Sequence, residues 1–447
     1  MAQGAPWRPR GKGACRGARG GALRREAPPR GMASSAKGPG GAPGTGEEEA
    51  RKRRKVDLGR LSQPGTKRER VRVRVPATSA NMGPGFDALG MAVDIWNEIT
   101  VERAKEFSLS TEGEGASLIP LEVSSDGESK HLVLHALRKA FQHAGEVPMP
   151  PVRVHTRNMV PICSGFGSSS SAIVGGLIAG LVLAGRELKV HEDRPGCGSA
   201  GSIVSGMDPE ELLHLATDIE GHPDNVAPAI YGGIQLSVQT HEGLDHGVPR
   251  SVMSRRIPHP AGLRLVAYVP SEEARLGSGL DKTEEMRNLL KPNIARADAV
   301  VNIQRTALLI DCLHRGDLHA LRFATRDRLH QPARGEHKYP HLDAMVKAAL
   351  EAGAHGAFLS GAGPTVMAFC SGQAGDIFTQ RSTERQEGTV AHAMQQAMEA
   401  MPEEVRKVWG GGTFYIVSPT NKGAHVVSAE PKFSGGLATF GSLDGTL

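Results

Sequence analysis

The chain has 447 residues, 39% hydrophobic and 4% aromatic, enough for two or three domains or one large two-lobed one, with a core built mainly from Ala, Val, Leu and Ile. The net charge of +5 averages unlike parts: residues 1–75 hold 20 Lys and Arg against 6 Asp and Glu, leaving 33 against 42 elsewhere. An acidic body argues against a nucleic-acid-binding function outside the arm, and five scattered cysteines (Cys15, Cys163, Cys197, Cys312, Cys370) without a CxxC pair argue against a disulfide framework or zinc site.

Residues 1–69 form a basic arm rich in Gly, Ala, Pro and Arg, without apolar periodicity, and are expected to be disordered. Its first 46 residues carry one acid, Glu26, and seven arginines before position 31, a make-up like an organelle transit peptide except for its scarcity of serine. "RKRRK" (51–55) resembles a nuclear-localisation run, with a solvated basic stretch as the plainer reading. Order is expected from "RVRVRVP" (70–76), where Val alternates with Arg as in a half-buried strand. Strands follow at 96–104 and 107–112, then a helix over 130–145 with a Gly stop and a strand at 151–160.

That strand runs into "PICSGFGSSSSAIVGG" (161–176), and a helix is predicted from about Ser169 to Leu183. The apolar run Ala172–Gly185 is too short to span a bilayer, so no membrane partner is expected. "GCGSAGSIVSG" (196–206) reads as a Gly/Ser surface loop, before a helix over 208–217 and a strand over 234–239. From 262 the pattern restarts: a strand (263–270), helices near 283–290, 293–315 and 341–352, and a strand–turn–strand in "GAFLSGAGPTVMAF" (356–369). A helix (388–400) and a strand (413–419) close it, and the mixture is α+β without internal repeat. The expected domains are 70–250 and 251–425, with a tail at 426–447.

The glycine stretch lacks both GxxxxGK[ST] and GxGxxG. Its physical logic is still that of an anion cradle. Gly165 and Gly167 let backbone approach a ligand. Ser168 and Ser169 fall where free amides and the helix dipole favour phosphate. Taken alone, a strand-to-helix turn with serine N-caps fits equally well.

Three stretches decide between them. "VPATSANMGPGFDALGMAVDIWNEITVE" (75–102), the glycine loop and "SGAGPTVMAF" (360–369) occur in an order that resembles the three motifs of the GHMP kinases, a superfamily of small-molecule kinases. Within it, "SANMGPGFDALG", "GHPDNVAPAIYGG" and "RDRLHQPAR" resemble the homoserine kinase family, across residues 70–425.

The resemblance implies a two-lobed α+β fold, with a ribosomal protein S5 domain 2-like N-terminal lobe and a ferredoxin-like C-terminal lobe. It implies ATP and Mg²⁺ as cofactors, and transfer of the γ-phosphoryl group to the hydroxyl of L-homoserine for threonine synthesis. Another small alcohol, such as mevalonate or shikimate, is the alternative acceptor. Pro161, Ile162, Cys163, Ser164, Gly165, Phe166, Gly167, Ser168, Ser169, Ser170 and Ser171 would form the ATP-phosphate loop, with Phe166 standing where Leu is usual. Asn81 and Asp87 match the substrate-binding pair, His222 lies near the substrate, and Arg287 and Arg334 match the carboxylate-binding arginines. In "HQPAR", Ala333 stands where an aromatic is common. Asp224 and Asn225 would lie beside the transferred phosphoryl group and Thr283 one helical turn from Arg287, with Asp224 not assigned firmly as a base. Ser169 and Glu220 would hold Mg²⁺. A homodimer is common in the family. For the arm, the resemblance suggests a plastid location, with the cytoplasm as the alternative.

Overall fold

The computed structural model describes residues 66–186, 188–190, 202–204, 209–240, 251–277, 282–371 and 385–432. Residues 1–65 of the arm, with Cys15, and Cys197 lie outside them. So do residues 196–201, 205–206 and the end of the chain from 433.

The Val/Arg alternation forms β1 (Arg70–Ala80), with Val71, Val73 and Val75 fully buried. It pairs antiparallel with β2 (Leu89–Arg103), register Val73 to Ile99. β2 pairs with β4 (Val152–Asn158), and β4 with β3 (Ser108–Gly113), the latter pair parallel. β7 (Ile234–Gln239) joins the other part of β2, and β8 (Val252–Ile257) joins β7. The first sheet therefore extends past the expected boundary at 250.

The expected tail is also a strand in part. β13 (His425–Glu430) returns to pair antiparallel with β1, completing seven strands in the first sheet. "HVVSAE" is too short and too polar to announce itself; only the open edge of β1 gives it a partner. Two short strands, β5 (Leu188–Val190) and β6 (Ser202–Val204), pair antiparallel, and β6 lies within the stretch 196–206 that reads as a surface loop.

Helices cover one face of this sheet: α1 (Leu132–His143), α2 (Ser168–Leu183), α3 (Pro209–Glu220) and α4 (Pro223–Tyr231). α2 is apolar on all sides and buried from Ile173 to Leu183. A helix of that kind is stable only as the centre of a core, and Leu177 and Leu181 are fully buried there with Val71, Val73 and Leu137.

The second sheet runs in the order β10 (Gly356–Leu359), β11 (Val366–Ser371), β9 (Leu263–Val269), β12 (Thr413–Val417), all antiparallel. The period of two serves two cores. Leu265, Ala267, Phe358, Met367 and Phe369 face a core shared with Met82, Met91 and Phe166 of the first lobe. Val266, Tyr268, Leu359, Val366 and Ala368 face the opposite side, under α10 (Leu342–Glu351) and α11 (Gln386–Glu399). The shared core is what seats the two motif loops against each other. The remaining helices are α5 (Glu272–Leu276), α6 (Lys282–Asn288), α7 (Arg296–Arg315), α8 (Leu321–Ala324), α9 (Gln331–His337) and α12 (Glu403–Trp409). No helix among the described residues is long and apolar enough to cross a membrane.

One buried polar residue ties the first lobe to the glycine loop. Asn97 of β2 donates to Ser171 Oγ at 2.8 Å and accepts from the amides of Met159 and Val160 at 2.8 and 2.9 Å. Its removal would leave buried groups without partners. Asn97→Ala is expected to destabilise the fold by about 3 kcal/mol, read as a lower urea midpoint at unchanged slope.

Candidate active site

The glycine stretch folds as a left-handed entry into α2. Cys163, Gly165 and Gly167 all have positive φ, and Gly167 is the residue before the helix. What aims the loop is the fate of its carbonyls. Pro161 accepts from Ser164 Oγ, Ile162 from Arg275 and Cys163 from Lys282. Ser164 accepts from the Thr365 amide, Gly165 from Ser360 Oγ, Phe166 from the Thr78 amide and Gly167 from the Ser171 amide. Seven consecutive carbonyls are thereby turned into protein. The first amides of α2 have no acceptor within the helix, so the loop offers an anion donors and no repelling oxygen.

"SGAGPT" forms the backing of this loop rather than a separate turn. Ser360 Oγ reaches both Gly165 and Ser79, and the Gly361 carbonyl accepts from Asn81 Nδ2 at 2.9 Å. Asn81 also accepts from the Asp87 amide at 3.1 Å. Its side chain is thus partly committed to bracing, with one amide proton left for a ligand. Asn81, Met82 and Asp87 all lie in the left-handed region. Asn and Asp tolerate it, while Met82 is held there by full burial.

Asp87 faces Arg287, which donates through Nη1 at 2.9 Å and Nη2 at 2.6 Å, a bidentate pair. Asp87 beside it, against partial burial, raises the Arg287 pKa. Phe86 lies beneath both arginines, 5.4 Å from the Arg287 guanidinium and 5.6 Å from that of Arg334, and stacks on His330.

Arg334 is 2% exposed. Its Nη1 donates to the Gly361 carbonyl at 2.9 Å and toward His330 Nδ1 at 3.1 Å. A guanidinium only donates, so His330 Nδ1 accepts and Nε2–H donates to Gly83 at 2.8 Å. Arg334 Nε has no partner among the described residues. Burial draws its pKa down to about 10.

α3 ends at Glu220 and α4 starts at Pro223, which brings "EGHPDN" to the cleft. Glu220 Oε1 accepts from Ser169 Oγ and Ser170 Oγ, both at 2.8 Å. Burial raises its pKa, partly opposed by His222 and these hydroxyls. His222 Nδ1 lies 2.5 Å from Asp224 Oδ1. Burial alone would lower the His222 pKa; the Asp224 carboxylate, helped by Glu220, carries it above the usual value. Asn225 Oδ1 accepts from Thr78 Oγ1 at 2.8 Å, leaving its amide hydrogens for a ligand. Single ligand atoms of Asp87, His222 and Asp224 also lie within 4.8 Å of one another. Both Asp87 oxygens are already engaged with Arg287, and His222 Nδ1 with Asp224 Oδ1.

Asn81, Asp87, Glu220, His222, Asp224, Asn225, Arg287 and Arg334 line one cleft of about 540 Å³, with the described glycine-loop residues Ile162–Gly165 and Gly167–Ser169 on one wall. Thr283 and Arg287 share it, as their i, i+4 spacing on α6 requires. Of the expected loop residues, Pro161, Phe166, Ser170 and Ser171 do not line it: Phe166 is core, and Ser170 and Ser171 are fully buried. Among the lining residues that sequence reading missed are Lys282, Asn97 and His131. Lys282 lies outside the quoted motifs, and Asn97 lies within the first of them without being singled out there. His131 is 3% exposed with neither ring nitrogen partnered among the described residues. Burial holds its pKa near 4, so it is a neutral donor–acceptor at the end of the cleft lined by Ile119, Pro120 and Leu132.

Residues 131–233 match the family described as GHMP kinases N terminal domain, and residues 309–400 that described as GHMP kinases C terminal. The fold and cleft are those of a small-molecule kinase of the GHMP class. The homoserine kinase of Desulfitobacterium hafniense is 34% identical over 357 residues, spanning 80% of this chain and 100% of the relative. That of Moorella thermoacetica is 36% identical over 301 residues, 67% of this chain and 88% of the relative. A crystal structure of homoserine kinase from Cytophaga hutchinsonii superposes with a TM-score of 0.60 at 24% identity, covering 82% of this chain and 100% of that one, a likeness of fold. The chain belongs to the homoserine kinase family.

Proposed function

We infer that this chain transfers the γ-phosphoryl group of ATP to the side-chain hydroxyl of L-homoserine, forming O-phospho-L-homoserine for threonine synthesis. The observation that carries this reading is one cleft with a carbonyl-free phosphate cradle on one wall and opposite charges, Asp87 against Arg287 and Arg334, on the other. An amino acid needs both signs. A hydroxy acid such as mevalonate needs only the cations, and Asp87 would oppose it.

In this reading the loop amides hold the triphosphate, and the base of ATP occupies the end bounded by Ile119, Leu132 and His131. Asp87 takes the substrate ammonium, and Arg287 and Arg334 take its carboxylate. Those contacts hold the hydroxyl toward Thr283, Asn225 and Asp224. Phosphoryl transfer through a loose transition state depends on position and charge more than on early deprotonation. Asn225, held by Thr78, donates to the transferring group. Asp224, held by His222, accepts the hydroxyl proton as the P–O bond forms.

Mg²⁺ fits the Glu220–Ser169 corner. The donors are all oxygen, and no Lys or Arg pairs with the carboxylate among the described residues. When bound there it would neutralise charge on the phosphate oxygens. Ser170 supports Glu220 from behind. For the whole chain we propose a homodimer, and for the basic arm a plastid location. Fusing residues 1–70 to a fluorescent reporter tests the latter, and diffuse cytoplasmic signal would reject it.

The test of function is a panel of amino alcohols and hydroxy acids with Mg-ATP. L-homoserine should give the highest kcat/KM, and a preference for mevalonate or shikimate would overturn the assignment. Asn225→Ala should lower kcat about 100-fold, as removal of one transition-state donor does, while the KM for homoserine moves little.

A further inference from the structure

Lys282, the first residue of α6, is a cleft group for which the proposed chemistry has no use. It is 5% exposed, and its ammonium donates to the Cys163 carbonyl of the phosphate loop at 2.7 Å. It lies 5.6 Å from the centre of the Tyr339 ring. No carboxylate forms a salt bridge with it among the described residues. Glu285, on its own helix, is held by Lys338 at 2.6 Å. From α5, Arg275 faces it as a second cation, itself placed on Glu114 and the Ile162 carbonyl. The Cys163 thiol and His341 complete the groups around it. A buried ammonium that faces a second cation, and whose hydrogen bond among the described residues goes to a neutral carbonyl, is incomplete without an anion.

We propose that Lys282 completes the ATP-phosphate site: it holds the loop in its left-handed form through the Cys163 carbonyl, and it is a charge partner of the incoming triphosphate. The proposal rests on the ATP-binding reading above. Its physical consequence is proton uptake. Burial first, then Arg275 and Lys338, draw the Lys282 pKa down to about 7 against Cys163 and Glu285. A polyanion arriving beside it must push that pKa back up. Near neutral pH the free protein is then only partly protonated at Lys282, and the complex fully so. Affinity for ATP should fall as pH rises past neutrality, because the ammonium must be restored on binding.

The test is calorimetry of the full chain with Mg-AMPPNP near pH 7, in two buffers of different ionisation enthalpy. Wild type should take up roughly half a proton per nucleotide, as a group titrating at the working pH does. Lys282→Met should bind about tenfold more weakly and lose that uptake. Lys282→Arg, permanently charged, should restore most of the affinity without restoring uptake. A lysine that merely braced the fold would change stability and leave proton stoichiometry alone. Equal uptake by wild type and Lys282→Met overturns the proposal. Should the variants fail to fold, wild type alone decides: a nucleotide Kd flat between pH 6 and 9 overturns it, and one rising up to tenfold per unit above pH 7 supports it. Absence of any nucleotide binding would sink the kinase reading itself, a different result from binding without uptake.

Discussion

Arg287→Ala is expected to cut kcat/KM for L-homoserine about 100-fold or more while the KM for ATP stays within about threefold. The guanidinium fork is bonded twice to Asp87 before any ligand arrives, at 2.6 and 2.9 Å. In the proposed binding mode a zwitterion entering the cleft would exchange this pair for two new ones, its ammonium on Asp87 and its carboxylate on Arg287. Each protein charge is then neutralised in both states. A substrate lacking either charge leaves one protein charge unmatched, which costs roughly 2–5 kcal/mol at a partly buried site. The variant leaves Asp87 without its partner and the carboxylate without its fork. Asp87→Asn should show the reciprocal loss. Parallel losses for ATP and homoserine in Arg287→Ala would mean that the arginine serves the fold rather than the substrate.

Gly165→Ala should abolish most activity and destabilise the protein. Gly165 has φ +94°, and a Cβ there would overlap the Ser360 carbonyl oxygen. That atom is backbone in the loop behind the cradle and cannot swing aside. The two loops must separate, which breaks the Ser360–Gly165 and Thr365–Ser164 hydrogen bonds together. A shift near 1 Å at a phosphate site is worth about 100-fold in rate, and the strain with the lost bonds about 2–4 kcal/mol. Gly145→Ala is the control. Its φ is +82°, yet nothing lies within 4 Å of the added Cβ. It should carry a strain cost of about 1 kcal/mol and leave kcat unchanged. Similar activity in the two variants would refute the interlocked-loop account.

The amino-acid order by itself was enough for much of this molecule. Val71, Val73 and Val75 alternate with arginine, and period two allows only one buried face, so β1 was legible. The helix after the glycine loop was legible to within one residue, because Ile173–Leu183 has no polar face to turn to water. Local rules also put Thr283 and Arg287 on one side of α6. Resemblance in motif order named Asp87, Arg334 and the Glu220–Ser169 corner.

What only the tertiary structure decided is how these parts are paired. β13 is a strand because β1 has an open edge, a fact no local pattern contains. The loop keeps its carbonyls from the cleft because seven of them find donors from as far away as Arg275, Ser360 and Thr365. Lys282 entered the site through burial on the Cys163 carbonyl, and His131 through burial with neither ring nitrogen partnered among the described residues, both set by neighbours distant in sequence. Local chemistry sets which conformations a segment can adopt. Whether a polar group faces water, protein or a ligand is set by the packing of segments far apart in the chain, and that packing assigns the site its charges.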